Sequence, residues 1–584
     1  MADASMKPTH NDNGDLRKEQ EVSHTVEPEP RFNLIDEPWM CCRTAEGTQT
    51  LSIRDVFDGS ASPISVLGDS PTQDYAVLRV LLSIYWRAHH HALEKHMSTR
   101  REREAFSWPD WFEDQLIDAT SGSRDEVVLD YLDTVKDRFY LFHPTQPFMQ
   151  VSDLHTKKNE ATTVNRLIPE AEHSYFSMRA GSGQEKLDFA EAARWLIHTH
   201  AWDYSGIKSG TVGDPRVKGG KGYPIGTGWT GMTGGTVVCG ATLRETLVLN
   251  TTPEAVLEVS TPDLPVWERK PDTAAQRGSG DLVPTGPVDL ATWQSRRVRL
   301  FREGTAVTAV LVSNGDRIPD AGKNVMLDPM TPYRYSPNQS KKGHVAYYAK
   351  PYDTSRTMWR AIDPLLVLDG DPGFSEKKKA PKRPANLSHL AMLADDGVVE
   401  GILDVSVVSM AYGAQSSSVS TIVSASVGIP LDVLRSNQMS DALRQDIRDA
   451  AARTEQIATA LGSFAGNLLV ASGGDYEFGA DAADRFYADM EPRFIEWIRR
   501  VGTADSDTHV VAWQKILKEQ VFAIAEELVR SAGPRALIGR TIGADDSGSG
   551  GRIISAATAY DGLRRKVADI LNLLSNEQKT RRDQ

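Results

Sequence analysis

A stripe of apolar residues in the last quarter of the chain restricts its possible folds more than any other feature. The stripe extends from Leu443 to Leu468 with gaps of three and four residues, the spacing of one face of an α-helix. Its members are Leu443, Ile447, Ala450, Thr454, Ile457, Leu461, Phe464 and Leu468. A helix of about seven turns with one apolar face needs other elements to cover that face. The segment therefore predicts the central helix of a bundle.

Three further stretches with the same spacing provide the expected partner helices. Their apolar residues are Phe486, Met490, Phe494, Trp497 and Val501, then Trp513, Ile516, Leu517, Val521, Ile524 and Leu528, and finally Ile553, Ala557, Tyr560, Leu563, Val567, Ile570 and Leu574. Pro492 lacks a backbone N–H and is expected to kink the second helix. Residues 543–551 are rich in Gly and Ser and predict a flexible loop before the fourth helix. Together these patterns predict a four-helix bundle over residues 436–580.

The part of the chain before the bundle has a mixed pattern. Residues 242–249 and 306–312 predict strands, whereas residues 75–92 and 189–200 have helical spacing. We therefore predict an α+β fold, in which a large mixed N-terminal domain over residues 31–435 is followed by the C-terminal four-helix bundle.

Composition narrows the class of protein without identifying a function. No apolar run approaches the ~18 residues of a membrane helix, so we expect no membrane association. Residues 1–30 are polar, lack the apolar segment of a secretory signal and predict a disordered N-terminal tail. Cys41, Cys42 and Cys239 form neither a disulfide framework nor a CxxC motif, which fits a cytoplasmic location. With a net charge of -13, the chain is expected to bind nucleic acid only through local basic patches or within a larger assembly.

Catalytic and cofactor motifs are missing from the sequence. It contains no HExxH, GxSxG or GxxxxGK[ST] pattern. The histidines at positions 89, 90, 91 and 96 suggest a metal site, but only His89 and His96 share a helix face, and they lie two turns apart. We therefore predict no catalytic residue, no metal and no cofactor, and we expect that the protein is not an enzyme.

Two segments have compositions suited to contact with a nucleic-acid backbone. Residues 208–235 are rich in Gly, and backbone without Cβ atoms can approach phosphates closely. Residues 333–356 interleave Tyr with Lys and Arg, so cations can neutralise phosphates while rings stack on bases. A basic edge strand with core tyrosines explains the second segment equally well. For the charged run 376–384 the pattern favours a solvated loop.

Five segments, in order along the chain, resemble the CasA family, the large subunit of the type I-E CRISPR Cascade complex. They are FNLIDEPW at 32–39, RFYLFHPTQPFMQ at 138–150, YFSMRAGSG at 175–183 leading to GIKSG at 206–210, AYGAQSS at 411–417, and the helical C-terminal quarter. The segment 138–150 is the most specific match. Together they extend the resemblance from about residue 31 to the end of the chain.

The resemblance implies an antiviral, crRNA-guided surveillance subunit. Such a subunit recognises the PAM of duplex DNA from the minor groove, destabilises the duplex to begin R-loop formation, and recruits a trans-acting helicase-nuclease. The implied partners are the other Cascade subunits, crRNA, double-stranded target DNA and that helicase-nuclease. Because the minor-groove code is degenerate, several PAM variants should be tolerated. Two alternatives stay open: a structural scaffold that holds guide RNA without reading DNA, and, less favoured, an enzyme that binds a nucleotide through residues 206–235.

The family's glycine loop, which lies against the PAM minor groove, is similar to residues 206–210 here. By this resemblance the DNA-binding residues are Gly206, Lys208, Ser209 and Gly210. Lys208 and Ser209 replace glycines of another member, although Ser209 retains a backbone N–H and adds a hydroxyl group. The glutamine wedge of the family, which parts the first base pairs, is similar to Gln415.

The wedge residue is flanked by Ala414 and Ser416, in a Gly/Ser-rich segment suited to a tight turn. The resemblance places the family's lysine finger near Lys323 and a DNA-contacting pair at Lys341 and Lys342. It places the loop that contacts the guide handle and a neighbouring subunit at Phe176, Ser177 and Met178. Some members have a Cys-rich segment before the lysine finger, whereas residues 311–324 contain no cysteine and predict no zinc.

Overall fold

Helices and short strands alternate through most of the chain, and long helices form its last quarter. A computed structural model describes residues 32–169, 185–257, 262–278, 280, 282–341, 343–352, 357–375, 378–502, 506–542 and 551–582. The helices are α1 (Ile53–Phe57), α2 (Pro71–His96), α3 (Arg100–Ala105), α4 (Trp108–Ser121), α5 (Glu126–Val135), α6 (Phe189–Trp202), α7 (Trp229–Thr233), α8 (Leu243–Leu249), α9 (Pro253–Val256), α10 (Pro287–Ala291), α11 (Thr357–Leu366), α12 (Ala385–Asp395), α13 (Leu431–Leu434), α14 (Gln438–Ala471), α15 (Ala480–Arg499), α16 (Ser506–Ser531), α17 (Gly533–Ile538) and α18 (Ala556–Arg582). The strands are β1 (Met40–Thr44), β2 (Gly47–Leu51), β3 (Ser65–Val66), β4 (Thr162–Thr163), β5 (Leu187–Asp188), β6 (Lys208–Ser209), β7 (Lys221–Gly222), β8 (Gly235–Cys239), β9 (Arg296–Glu303), β10 (Ala306–Asn314), β11 (Tyr333–Tyr335), β12 (Tyr347–Ala349), β13 (Ile402–Tyr412), β14 (Val419–Pro430), β15 (Arg540–Ile542) and β16 (Arg552–Ile554). This content confirms the predicted α+β class with a helical C-terminal region.

Helix α2 is the central helix of the mixed part of the chain. Ser70 caps its start by accepting a hydrogen bond from the backbone N–H of Gln73, and Pro71 occupies the first turn, where no donor is needed. Nearly every α2 residue from Tyr75 to His89 is buried, which confirms the helix predicted over 75–92. Helix α6 packs against α2 and confirms the helix predicted over 189–200.

The strand predicted over residues 242–249 is wrong, because Leu243–Leu249 is helix α8. Thr242 accepts a hydrogen bond from the backbone N–H of Glu245 and so starts a helix. The helix is buried on almost every side, and a segment of only eight residues is too short for its pattern to separate a buried helix from a strand. The strand predicted over 306–312 is confirmed by β10, which pairs antiparallel with β9.

The mixed part of the chain contains a long antiparallel hairpin. Strand β13 is the middle strand of the sheet β14–β13–β8, and its pairing with β14 extends from Ile402↔Pro430 to Tyr412↔Val419. Leu403, Val405 and Val407 alternate to the buried face, as expected for a sheet with one face in the core. The turn that joins the two strands, residues 413–418, lies at the far end of this hairpin.

The four long helices of the last quarter pack together, with α14 in contact with α15, α16 and α18. Every residue of the α14 stripe is buried, as the spacing predicts. Helix α15 continues through Pro492 and packs on strand β14. The start predicted for the fourth helix is wrong. Ile553 lies in strand β16, and both Ile553 and Ala557 are exposed, whereas Ala556 and Ala559 are buried.

A short hairpin explains this difference. Strands β15 and β16 pair between the third and fourth long helices. The β-branched residues of β16 therefore lie in a β-ladder and not on the apolar face of a helix. Most of the flexible loop predicted at 543–551 lies outside the described residues, as does the tail predicted at 1–30. The domain boundary at 435/436 stays a prediction, since α14 also packs on α13.

Candidate nucleic-acid interface

The segment predicted as a glycine loop forms the edge of a two-stranded element. Strand β6 pairs with β7, and the N–H of Gly210 donates to the carbonyl of Gly220 at 3.0 Å. A Cβ atom on Gly210 would lie 2.6 Å from both the carbonyl carbon and the carbonyl oxygen of Gly220, so no other residue fits there. Gly206 and Ser209 are half-buried, which leaves part of the loop's backbone facing solvent.

Lys208 points into the protein. Its Nζ lies 3.0 Å from Oδ2 of Asp203 and 3.6 Å from the ring centroid of Tyr204, and its side chain is 1% exposed. Burial, and then the charges of Arg166 and Arg296, lower the pKa of Lys208 to about 7, although Asp203 opposes this shift. Any contact of Lys208 with DNA would therefore involve its backbone and not its ammonium group.

Asp203 forms the centre of a buried ionic network below the loop. Burial raises its pKa, but the charges of Arg166, Lys208 and Arg296 together hold the pKa of this carboxyl far below its usual value. The guanidinium of Arg296 is fully buried and also donates to the carbonyls of Asp203, Tyr204 and Gly226, at 3.0, 2.8 and 3.0 Å. These bonds fix the backbone that leads into the glycine loop.

Two hydrogen bonds connect this backbone to the end of the long hairpin, one to its turn and one to the last residue of β13. The N–H of Ser205 donates to the carbonyl of Ser416 at 2.6 Å, and the hydroxyl of Tyr412 donates to the carbonyl of Trp202 at 2.8 Å. The structure therefore brings together two segments that lie about 200 residues apart in the sequence. Gly206 directly follows Ser205, and Gln415 directly precedes Ser416.

Gln415 lies exposed at the tip of the hairpin in a left-handed backbone conformation. Its φ is 56° and that of Ser416 is 55°, a region that costs a residue with a Cβ roughly 1–2 kcal/mol. Backbone bonds within the turn hold this geometry: Gly413 N–H donates to Ser418 at 2.9 Å, and Ser416 N–H donates to Gly413 at 2.9 Å. Within the described part of the chain, the Gln415 amide makes no hydrogen bond. Ala414 is also exposed.

Lys323 is exposed on a loop with unusual backbone geometry. Four of its neighbours have positive φ: Asp320 (45°), Ala321 (52°), Gly322 (74°) and Asn324 (57°). Asn324 anchors the loop to β12, since its Oδ1 accepts from the N–H of Tyr347 at 2.7 Å and its Nδ2 donates to the carbonyl of Val345 at 2.9 Å. A residue held in this way projects from a rigid support.

A cleft with a volume of about 1270 Å³ lies between the mixed part of the chain and helix α14. Its lining includes Ser416 from the hairpin turn, Ala321 from the Lys323 loop, and Arg334 and residues 348–352 around β12. On the bundle side it includes Arg448 and Glu455 of α14. The structure thus places the neighbours of Gln415 and Lys323 on one cleft.

The remaining predicted DNA and guide contacts are less defined. Lys341 is exposed in the connection between β11 and β12, where its backbone exchanges hydrogen bonds with His344 at 2.9 and 2.8 Å. Lys342 lies outside the described residues, and so does the predicted guide-contacting loop with Phe176, Ser177 and Met178. Their roles stay predictions.

The histidine run of α2 makes separate local contacts. His89 Nε2 lies 3.5 Å from Asp125, His90 Nδ1 lies 2.9 Å from a backbone carbonyl, and His91 Nε2 lies 3.7 Å from Glu268. Throughout the described ranges, no three His, Cys, Asp or Glu side chains come together as metal ligands do. None of the helices in those ranges has the length and hydropathy needed to cross a membrane.

Sequence reasoning did not identify the buried network around Asp203. The acid directly follows a helix, and Arg296 lies in a strand 93 residues later, so nothing in the sequence links them. The adjacent cations Arg296 and Arg297, which directly precede an apolar strand pattern, were the one sequence signal of a buried ionic network. In the structure both are buried at the start of β9.

Comparisons with known proteins agree with this geometry and define the class as a CRISPR-associated protein. The profile of the family "CRISPR-associated protein Cse1" matches residues 33–524, and the chain belongs to this family, also named CasA. The chain is 26% identical over 351 residues to CasA/Cse1 of Thermus thermophilus, a match that covers 58% of this chain and 61% of that relative.

Solved structures share the fold over nearly the whole chain. The crystal structure of Thermobifida fusca Cse1 has a TM-score of 0.78 and 33% identity, covering 93% of this chain and 98% of that one. A chain of a structure named "CRISPR RNA-guided surveillance complex" has a TM-score of 0.61 and 19% identity, covering 93% and 99%, and shows the fold alone. The predicted family resemblance is therefore confirmed: the chain is a member of the Cse1/CasA family.

Proposed function

We propose that this chain reads the PAM of duplex DNA for a crRNA-guided Cascade complex and starts the opening of the duplex. One observation carries the proposal: the exposed, left-handed Gln415 is joined through Ser416 to the backbone that leads into the glycine loop. A groove-reading loop and a wedge must act on neighbouring base pairs, and these two elements share one rigid support.

The glycine loop suits the floor of a minor groove. That groove is about 6 Å wide, so it admits backbone more easily than bulky side chains. Gly206 and Ser209 have part of their surface free, while Gly210 is held against Gly220. The side chain of Lys208 is buried beneath the loop, so it does not widen the surface that would enter the groove. Recognition through backbone groups favours tolerance of several PAM sequences.

The Gln415 turn suits a wedge. Insertion of a side chain between base pairs costs a few kcal/mol of unstacking, which contacts elsewhere must offset. A tip that already holds its left-handed conformation loses little further entropy on insertion. Lys323, together with Lys341 and Lys342, would contribute favourable phosphate contacts nearby.

The remaining partners follow from the family. We infer that the chain binds crRNA and other Cascade subunits, with residues 176–178 near the guide handle, and that it recruits the trans-acting helicase-nuclease. We also propose that it acts in the cytoplasm and without catalysis of its own. The alternative is a structural scaffold that holds guide RNA without reading DNA, and the experiment must distinguish it from PAM recognition.

The test is DNA binding by the guide-loaded complex, with and without this chain, on duplexes that differ only in the PAM. We expect tight binding to require both the chain and a permitted PAM, and Gln415→Ala to reduce R-loop formation. Gln49→Ala, at an exposed glutamine of strand β2, is the matched control and should behave as the unmodified chain. If binding depends on neither PAM nor Gln415, the scaffold function replaces this proposal.

A further inference from the structure

The two lysines that flank a tight turn next to the glycine loop have no role in the proposed function. Lys218 and Lys221 flank the turn and exchange two backbone hydrogen bonds, each 3.1 Å long. Gly219 and Gly220 occupy the turn with φ of +59° and +74°, the left-handed geometry that a tight hairpin requires. We name residues 218–221 the KGGK turn. Its bonds hold two lysines side by side at the end of a hairpin.

The KGGK turn lies directly against the glycine loop. Lys221 is the pairing partner of Ser209 in the β6–β7 ladder, and the carbonyl of Gly220 accepts from Gly210. Paired residues in such ladders have Cα atoms about 5 Å apart. The minor groove is about 6 Å wide, and a phosphate backbone borders it on each side. If Ser209 lies in the groove, a lysine paired with it can reach one of these backbones.

No carboxylate in the described ranges neutralises the charge of these two lysines. Both are exposed, and across the described ranges neither forms an ion pair. Arg216, two residues earlier, differs because it is paired with Asp214 at 2.9 Å. A Cβ atom on either glycine of the turn would meet nothing within 4 Å, so another molecule can approach closely. In a chain with a net charge of -13, this is a local basic surface.

The base of the KGGK turn is anchored in the core. Arg216 donates to the carbonyls of Asn314 and Gly315 at 3.1 and 2.9 Å. The amide of Asn314 donates to the carbonyl of Tyr223 at 2.6 Å, on the other side of the turn. Both ends are therefore fixed to strand β10 and the residue after it. A preformed element of this kind loses little conformational entropy when it binds.

We propose that the KGGK turn binds the phosphate backbone of the duplex beside the PAM. This inference rests on the proposed function, because the glycine loop positions the duplex. Lys218 and Lys221 add affinity without sequence preference, since phosphates carry no sequence information. They also make binding depend on salt through the release of counterions.

The test is the salt dependence of duplex binding by the guide-loaded complex carrying Lys218→Ala with Lys221→Ala. Each lost phosphate contact reduces the slope of log K against log salt by about 0.9, so the double variant should lose up to about 1.8. Its deficit in affinity should then be about tenfold larger at 50 mM than at 200 mM salt. The ratio of affinities for permitted and forbidden PAMs should stay unchanged. Lys218→Arg with Lys221→Arg should retain the slope.

A control variant removes the same charge elsewhere. Lys95→Ala with Arg101→Ala changes two exposed cations near the far end of α2. Lys95 lies 23 residues beyond Thr72, which bonds Trp202 beside the site, and at 1.5 Å per residue this is about 34 Å. The control should retain the slope.

Several results would overturn the inference. An unchanged slope in the KGGK variant, or an equal loss in the control, removes the proposed contact. An equal loss on a single-stranded target, or weaker retention of guide RNA, assigns the lysines to RNA instead. If the unmodified complex shows no PAM dependence, the proposed function itself fails, whereas an unchanged slope with intact PAM dependence contradicts only the KGGK contact.

Discussion

Replacement of Asp203 by Asn should loosen the support that the glycine loop and the Gln415 turn share. The carboxylate faces Arg166, Lys208 and Arg296, and its side chain is 4% exposed while those of Lys208 and Arg296 are 1% and 0% exposed. Asn keeps the shape of the side chain but leaves these cations without an anion. Removal of one partner from a buried ion pair costs about 3–5 kcal/mol, and we expect a local loss of this size for Asp203→Asn.

The assay is amide hydrogen exchange of residues 203–210 in the isolated chain. A chain of 584 residues is not expected to unfold in one step, so local exchange reports the relevant free energy better than a melting temperature. Glu104→Gln is the control, because its pair with Arg100 is 87% and 63% exposed and such pairs contribute about 0–1 kcal/mol. Protection of 203–210 in Asp203→Asn that equals the unmodified chain would refute the role given to this network.

Two further predictions concern the same loop. Gly210→Ala places a methyl group 2.6 Å from backbone atoms of Gly220, so β6 and β7 should separate; we expect about 1–3 kcal/mol less local stability and weaker duplex binding, and normal exchange across 206–222 would contradict this. The lowered pKa of Lys208, about 7 against ~10.4 when unfolded, means that the unfolded chain binds more protons between these values. Local stability relative to Lys208→Met should therefore rise with pH from 7 to 10, by at most about 1.4 kcal/mol per pH unit. A pH-independent difference between the two proteins in the exchange protection of residues 203–210 would contradict the assignment.

The sequence predicted the bundle well because burial there follows one simple period. All the stripe residues of α14 are inside, from Leu443 to Leu468, since a long helix must place every third or fourth residue on its covered face. The prediction failed where a segment is too short to show that period. Residues 242–249 and 552–554 are segments of at most eight residues, and only their tertiary contacts decide between helix and strand.

The candidate site was predictable only through its motifs. The Gly/Ser pattern around Gln415 indicates a turn, and the structure shows one. That this turn is bonded to Ser205 could not be predicted, because the contact joins residues more than 200 positions apart. The inward direction of the Lys208 side chain could not be predicted from the sequence either, because it depends on Asp203 and Arg296, which only the fold brings together.

Duplex opening by the guide-loaded complex with Gln415→Ala tests the central claim most directly. It should be measured on a fully paired target and on a target with a pre-opened bubble beside the PAM. A wedge acts only while base pairs are intact, so the variant should form R-loops more slowly on the paired target and at the normal rate on the bubble. Equal rates on the paired target, or an equal defect on both targets, would contradict the assignment of Gln415 as the wedge.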